Sequence, residues 1–340
     1  MLPSLHMKQR SADSPVTISD IARMADVSKA TVSRVLTGNA PVNPQTKERI
    51  LSVMNQHGYV PNHYAQCLAG TPTRIIGVVV GELTNYFFTE VVKGIDTVLS
   101  AKGYSMLLCF TDWDEEKELS TVQTLLRNKV DGVILSAASP SSPSIQLLKD
   151  SETPFVVVNC VPNDSEVAYV SGDNYEGGRL VAEYINSSIY KRVIVLAGFN
   201  DQPMSLRLRG LLDNVGEDRN LIVHDAIPTS EEGRQFAIEF DDVVSSSEPT
   251  LIFVSNDNVA IGIENGLQKE VRIPEDVAII GYDDIAPASF CRVPLTTVSQ
   301  SISLMGQTSA DLLIKKLSKD DSCETHILIP PKFIVRESAR

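Results

Sequence analysis

The chain has 340 residues, more than one ordinary domain, so two or three folding units are expected. Its 43% hydrophobic and 21% charged residues sit close to globular averages and exclude a disordered or fibrous chain. A net charge of −13, taken whole, speaks against a nucleic-acid partner, because a phosphate backbone recruits Lys and Arg. The charge is unevenly divided, however. Residues 1–61 hold seven Lys and Arg against four Asp and Glu, a net +3, which leaves −16 on the remainder. A small basic head on a large acidic body is the pattern to explain.

In chain order, residues 1–14 read as a mobile tail and 15–61 as a compact helical head. Thr17, with Asp20 three residues on, gives a capping-box variant that opens TISDIARMA. Ser28 caps a second helix, KATVSRVL, which stops at Gly38. Asn43 followed by Pro44 starts a third, with Ile50, Val53, Met54 and His57 on its apolar face and Gly58 at its end. Three such short helices bury little, so the head is expected to be marginally stable alone. Residues 62–73, NHYAQCLAGTP and Thr73, carry a cap at Asn62 and a stop at Gly70. About two turns of helix are unstable in water without a partner, so this linker should order conditionally.

From Arg74 the pattern changes. IIGVVV, YSMLLCF, GVILSA, FVVVN, RVIVLAG, TLIFVS and VAIIGY are buried-strand runs, and helix-length segments such as 115–129 and 257–269 lie between them. Alternation of this kind means parallel sheets with helices on both faces, here as two α/β lobes flanking a cleft. The expected division is lobe 1 at about 74–160 and 292–320, and lobe 2 at about 161–291 and 321–340. Cys67, Cys109, Cys160, Cys291 and Cys323 form no CxxC pair, so neither a metal site nor a disulfide framework is expected. The N-terminus lacks the apolar region of a secretory signal and no run approaches the roughly 18 apolar residues of a membrane span. The reading is a cytoplasmic protein.

Helix, tight turn, helix at this spacing can offer a second helix to the DNA major groove. On that helix Ser28, Lys29, Ala30, Thr31, Ser33 and Arg34 are small, hydroxylic or basic, which suits phosphate anchoring and base reading. A solvated three-helix unit that binds protein is the alternative. No GxSxG elbow, Walker loop or GxGxxG helix start is present, and His6, His57, His63, His224 and His326 lack metal-ligand spacing. Asp283 and Asp284 are adjacent in a loop and should diverge, so an enzyme is not expected.

The stretch TISDIARMADVSKATVSRVLTGNAPVNPQTKERILSVMNQHGYVPNHYAQCLAG resembles the DNA-binding head and hinge of the lactose-repressor (LacI/GalR) family of bacterial transcription regulators. The resemblance continues in DNYEGGR, SLRLRG, SNDNVAIG, RIPEDVAIIGYDD and PLTTVSQ, from Thr17 to the end. It implies an α/β fold: a helix-turn-helix head, a hinge helix, and a two-lobed core (74–340) like periplasmic sugar-binding proteins, with parallel sheets. It further implies that Lys29, Ala30 and Arg34 read bases, while Thr17, Ser28, Thr31, Ser33 and Asn43 contact the DNA backbone. Ala30 can offer only apolar contact, for example to a thymine methyl. In the hinge, Asn62, Ala65 and Leu68 are implicated, Leu68 as the minor-groove wedge, with ordinary packing as its other possible role. Gln66 stands where many relatives have a basic residue.

The same resemblance places the effector pocket at Tyr86, Phe87, Asp173, Arg207, Asn256, Asp283 and Gln300. Those residues suit a polyol: aromatic faces stack on C–H surfaces, amides and carboxylates bond hydroxyls, and Arg binds bidentately. A turn or capping role is the alternative for Asp283, and only one of Arg207 and Arg209 should face the cleft. Asn159 and Cys160 replace an aspartate and a bulkier residue found in many relatives. The expected protein is a homodimeric repressor of a carbohydrate operon. It would bind a palindromic double-stranded operator and respond to a sugar or sugar phosphate, with no cofactor and no membrane. A sugar-binding protein without a DNA role, or a regulator using a co-repressor or non-sugar effector, is the alternative. The chain ends without the C-terminal heptads of tetrameric relatives, so a dimer is expected.

Overall fold

The computed structural model describes residues 16–37, 40–59, 72–198, 201–225, 229–239, 249–320, 322 and 324–340. Two compact units meet at Thr73/Arg74. The first holds α1 (Ile18–Met24), α2 (Lys29–Thr37) and α3 (Pro44–Gln56). Each starts where a side chain satisfies a free amide. The Asp20 carboxylate accepts from the Thr17 amide at 3.0 Å and from its hydroxyl at 2.6 Å. Ser28 Oγ accepts from the Thr31 amide at 3.1 Å, and Asn43 Oδ1 from the Gln45 amide at 2.9 Å. Ile21, Ala22, Ala25, Val32, Ile50 and Met54 form the core. His57, expected on the apolar face of α3, is exposed. The helix ends one residue earlier, and Gly58 turns the chain left-handed at φ +59°, so His57 leaves the packed face.

The second unit begins with β1 (Ile75–Val80), α4 (Tyr86–Ala101), β2 (Ser105–Phe110), α5 (Glu115–Arg127) and β3 (Gly132–Leu135). It continues with α6 (Pro143–Asp150), β4 (Phe155–Val158), β5 (Tyr169–Gly172), α7 (Asn174–Ser187) and β6 (Arg192–Ala197). Then come α8 (Gln202–Leu212), β7 (Asn220–Asp225), α9 (Ser230–Glu239), β8 (Thr250–Val254), α10 (Asp257–Gly266) and β9 (Val277–Ile280). The last elements are β10 (Thr297–Ser299), α11 (Ile302–Leu317), β11 (His326–Ile329) and β12 (Lys332–Ile334).

Two parallel sheets result, in the orders β11-β5-β4-β3-β1-β2 and β7-β6-β8-β9. β3, β4, β8 and β9 are buried along their whole length, as strands covered by helices on both faces must be. β10 pairs antiparallel with β12, and single bridges (Ile280 to Thr296, Asp283 to Ser299) attach it beside β9. The chain therefore passes between the sheets three times, around Asp173, around Gln300 and at Pro330–Pro331. These passages are tied together: the Asp173 amide donates to Ile329 O at 3.0 Å.

The lobe boundaries expected from the sequence need correction. β5 and β11, assigned by that reading to the second lobe, instead extend the first sheet, so its chain runs to residue 172 and includes 326–329. YVSG is interrupted by Ser171 and Gly172, and HILI lies at the sheet edge with only Ile329 buried.

Helices α7 and α8 cross unusually closely. A Cβ on Gly178 would lie 2.0 Å from Arg207 O, and one on Gly210 would lie 2.0 Å from Tyr175 O. The same reciprocal contact joins α4 to α11 through Gly94 and Gly306. Because the clashing atoms are backbone, they cannot rotate away. Gly210→Ala should therefore destabilise the second unit by about 1–3 kcal/mol, read as a lower urea midpoint. An unchanged midpoint would mean that the helices do not approach this closely.

Candidate functional site

The exposed face of α2 is set by what its other face buries. Val32 is fully buried and Val35 and Leu36 pack beside it, which turns Lys29, Ala30 and Arg34 to solvent. Ser33 is half-buried on that side, one turn from Lys29 and Ala30. Neither Lys29 nor Arg34 has an ion-pair partner among the described residues, so both charges remain available. Ser28 and Thr31 share a hydroxyl contact at 2.8 Å at the helix start, and Asn43 is exposed at the start of α3. Thr17 is half-buried at the start of α1. Asn62, Ala65 and Leu68 lie outside the described residues.

In the second unit a cavity of about 160 Å³ opens where strands of both sheets end. Glu82 and Asn85 follow β1, Trp113 follows β2, Asn159 follows β4, Asp201 follows β6, Asn256 follows β8 and Asp283 follows β9. Carboxyl ends of parallel strands are where open α/β sheets bind ligands. Three of these residues begin helices. Asn85 accepts from the Phe87 amide at 3.0 Å, Asp201 from Met204 at 2.9 Å, and Asn256 from Val259 at 2.9 Å. Phe87 and Phe88 form the apolar wall, with Trp113 edge-on to Phe88 at 5.1 Å between ring centres. Across the opening, Gln202 on α8 both donates to and accepts from the Val161 backbone, each at 2.8 Å.

Arg207 is the centre of the polar wall. Its guanidinium is 3% exposed and lies 3.3 Å from the Asp283 carboxylate. Nε donates to Asn174 Oδ1 at 2.8 Å, Nη1 donates to Ser255 O, and the group sits 3.8 Å above the Tyr282 ring. Gln300 Nε2 donates to Asp283 at 2.6 Å from behind. Asp283 itself is held at φ +116°, a strained conformation for a residue with a side chain, while its amide donates to Val298 O at 2.9 Å. Asp284 diverges, as expected, and pairs with Arg336 at 2.6 Å. Burial pushes the Asp283 carboxyl up to about 6, against the opposing pull of Arg207. Burial likewise raises Asp257, which binds Thr297 and the Ile285 amide, and pushes the Cys160 thiol up to about 12. Two buried polar atoms of the lining residues, Asn159 Oδ1 and Asn256 Nδ2, have no hydrogen-bond partner. Such groups are costly unless something else satisfies them.

Of the residues expected in the pocket, Phe87, Arg207, Asn256 and Asp283 line the cavity and Gln300 supports it from behind. Tyr86 and Asp173 do not line it. Tyr86 is the first residue of α4 and half exposed, because the Asn85 cap turns Phe87 and Phe88 inward. The Asp173 carboxylate accepts from the Glu176 amide at 3.0 Å, and the next residue, Asn174, faces Arg207 instead. Arg209 is 72% exposed, leaving Arg207 alone in the cleft. Missed were Glu82, Asn85, Phe88, Trp113, Asp201, Pro203 and Met204. A usable signal existed for Asn85 and Asp201, each a capping residue between a buried strand and a helix. Among the described residues no cluster of His, Cys, Asp and Glu could hold a metal ion. No described helix is long and apolar enough to cross a membrane.

Residues 17–62 match the family model of bacterial regulatory proteins, lacI family. Residues 73–337 match that of periplasmic binding proteins and the sugar binding domain of the LacI family. The chain is 29% identical over 333 residues to the HTH-type transcriptional repressor PurR of Vibrio atlanticus (strain LGP32), covering 95% of this chain and 98% of that one. It is 30% identical over 330 residues to the ribose operon repressor of Escherichia coli (strain K12), covering 95% and 99%. Among solved structures, the Lac repressor dimer bound to operator and the anti-inducer ONPF shares the fold with a TM-score of 0.83 at 24% identity, covering 96% and 99%.

The raised Asp283 carboxyl has a pH consequence. Folding favours its neutral form, so its stabilising contribution is complete below the ordinary value of 3.8 and is lost as pH rises through about 6. The stability of the native chain relative to Asp283→Asn should fall between about pH 4 and pH 7 in urea melts. A difference that stays flat would mean Asp283 titrates normally.

Proposed function

The chain belongs to the LacI family of bacterial regulatory proteins, ligand-responsive DNA-binding regulators, and on that premise we propose which residues carry each half of the task. It represses a carbohydrate operon as a homodimer, the state of the Lac repressor whose fold it shares. Two heads place their α2 helices in successive major grooves of a near-palindromic operator, about 34 Å apart. Lys29, Ala30 and Arg34 face the bases, while Thr17, Ser28, Thr31, Ser33 and Asn43 face phosphates. Asn62, Ala65 and Leu68 serve the hinge, with Leu68 wedged into the minor groove between the half-sites.

The observation that carries the ligand half is the cavity at the strand ends with two orphaned buried amide atoms in its wall. Its volume of about 160 Å³ lies below the roughly 300–1,000 Å³ of sites for drug-sized molecules, which suits a monosaccharide. Ring hydroxyls would satisfy Asn159 Oδ1 and Asn256 Nδ2. The aromatic wall of Phe87, Phe88 and Trp113 would cover the sugar's C–H face. The relative named for a ribose operon supports a sugar of this size. Binding draws the two sheets' strand ends together and releases the operator.

Paired substitutions test the division of labour. Arg34→Ala should weaken operator binding by about 1–3 kcal/mol in a gel-shift titration and leave ligand affinity unchanged. Arg207→Lys keeps the charge but loses the forked geometry, so ligand affinity should drop about tenfold or more while operator affinity without ligand holds. Loss of both functions in either variant would sink the assignment.

A further inference from the structure

Resting on the reading of this cavity as the effector site, we infer that its ligand is an uncharged polyol, that phosphorylated sugars are rejected, and that Asp201 is the principal discriminator. Among the described lining residues, Glu82, Asp201 and Asp283 are acidic and Arg207 is the one cation. That cation is already committed: Asp283, Ser255 O and Asn174 all engage it. A terminal phosphate brings a charge of about −1.5 to −2 at neutral pH. It would therefore meet Glu82 and Asp201 with no free positive partner.

The helix starts lead to the same result. Three helices, α4, α8 and α10, begin at the cavity, and free helix amides are the usual seat of a phosphate. Here each start is filled by its own side chain, Asn85, Asp201 or Asn256. At α8 the filling group is itself a carboxylate, standing where the phosphate oxygen would bind. Asp201 also adds its negative field to Asp283 and Cys160, both of which it pushes upward. Glu82 is partly occupied by the Thr84 hydroxyl at 2.7 Å but keeps its charge. What remains for a ligand is the acceptors, namely the free carboxylate oxygens and Asn159 Oδ1, together with one neutral donor, Asn256 Nδ2. A hydroxyl-rich neutral molecule supplies the matching donors, whereas a phosphate supplies more acceptors.

The chain's single tryptophan, Trp113, lines the cavity, so its fluorescence reports occupancy directly and independently of DNA. The probes are D-ribose, D-glucose, D-fructose and D-mannitol, each titrated against its terminal phosphate ester into the full chain. At least one free polyol should shift the Trp113 emission, with its ester bound about a hundredfold more weakly, the factor expected for one uncompensated like-charge pair. Asp201→Asn keeps a good helix cap and removes the charge, so it should narrow that gap about tenfold. Glu82→Gln, in the loop after β1, should narrow it less and provides a second variant that spares the α8 cap. An ester that binds as tightly as its parent sugar overturns the inference alone. No response to any of the eight compounds overturns the sugar reading of the cavity, and the inference with it.

Discussion

Arg207 has to remain charged while 3% exposed, and much of the second unit is arranged around that requirement. An isolated buried guanidinium is prohibitively costly, and even a paired one stabilises little unless its remaining donors are satisfied. The partners come from separate parts of the chain: Asn174 at the start of α7, Ser255 at the end of β8, Asp283 and Tyr282 after β9. Asn174 reaches Arg207 where α7 and α8 approach backbone to backbone through Gly178 and Gly210. A side chain at either glycine would separate the helix that carries Arg207 from the one that carries Asn174. Packing and polar chemistry are therefore one constraint here.

The same pair reaches from the cavity to the passages between the sheets. Asp283 is held by Gln300, which lies on the second passage, and Gln300 Oε1 sits against Gly172 at the first. The Asp173 amide joins the first passage to the third. A ligand that bonds Arg207 or Asp283 thus acts on groups that fix the relative placement of the two sheets. The Gln202 clasp to Val161 adds a second tie, across the opening itself. A ligand can shift such an arrangement only by the difference in its affinity for the two states. Groups shared between cavity wall and passage are where that difference arises.

Much of this was legible in the sequence. The three head helices announce themselves through caps, Thr17 with Asp20, Ser28, and Asn43 with Pro44, because a free helix amide admits few side-chain solutions. All seven β-branched runs are strands, six of them largely buried, but YSMLLCF forms β2 at the edge of the first sheet, where no residue is buried and Leu107 and Phe110 are exposed. β5, β7, β10, β11 and β12 escaped, being short or at sheet margins where half the residues meet water. In the cavity, a family motif supplied positions along the chain but not side-chain directions. Those are set by caps: Asn85 turns Phe87 and Phe88 inward and Tyr86 outward, and Asp173 folds onto its own helix. The whole-chain balance of −13, which first seemed to oppose a DNA partner, combines a +3 head with −16 on the unit that holds the ligand.

Control of the reading helix by the cavity is a free-energy coupling between two sites, and it is reciprocal: the factor by which ligand changes operator affinity must equal the factor by which operator changes ligand affinity. The direct measurement is operator affinity with and without saturating ligand, set beside ligand affinity from Trp113 fluorescence with and without operator. Equal factors, both well above one, are expected. Operator affinity that stays constant while Trp113 reports a filled cavity would contradict the account.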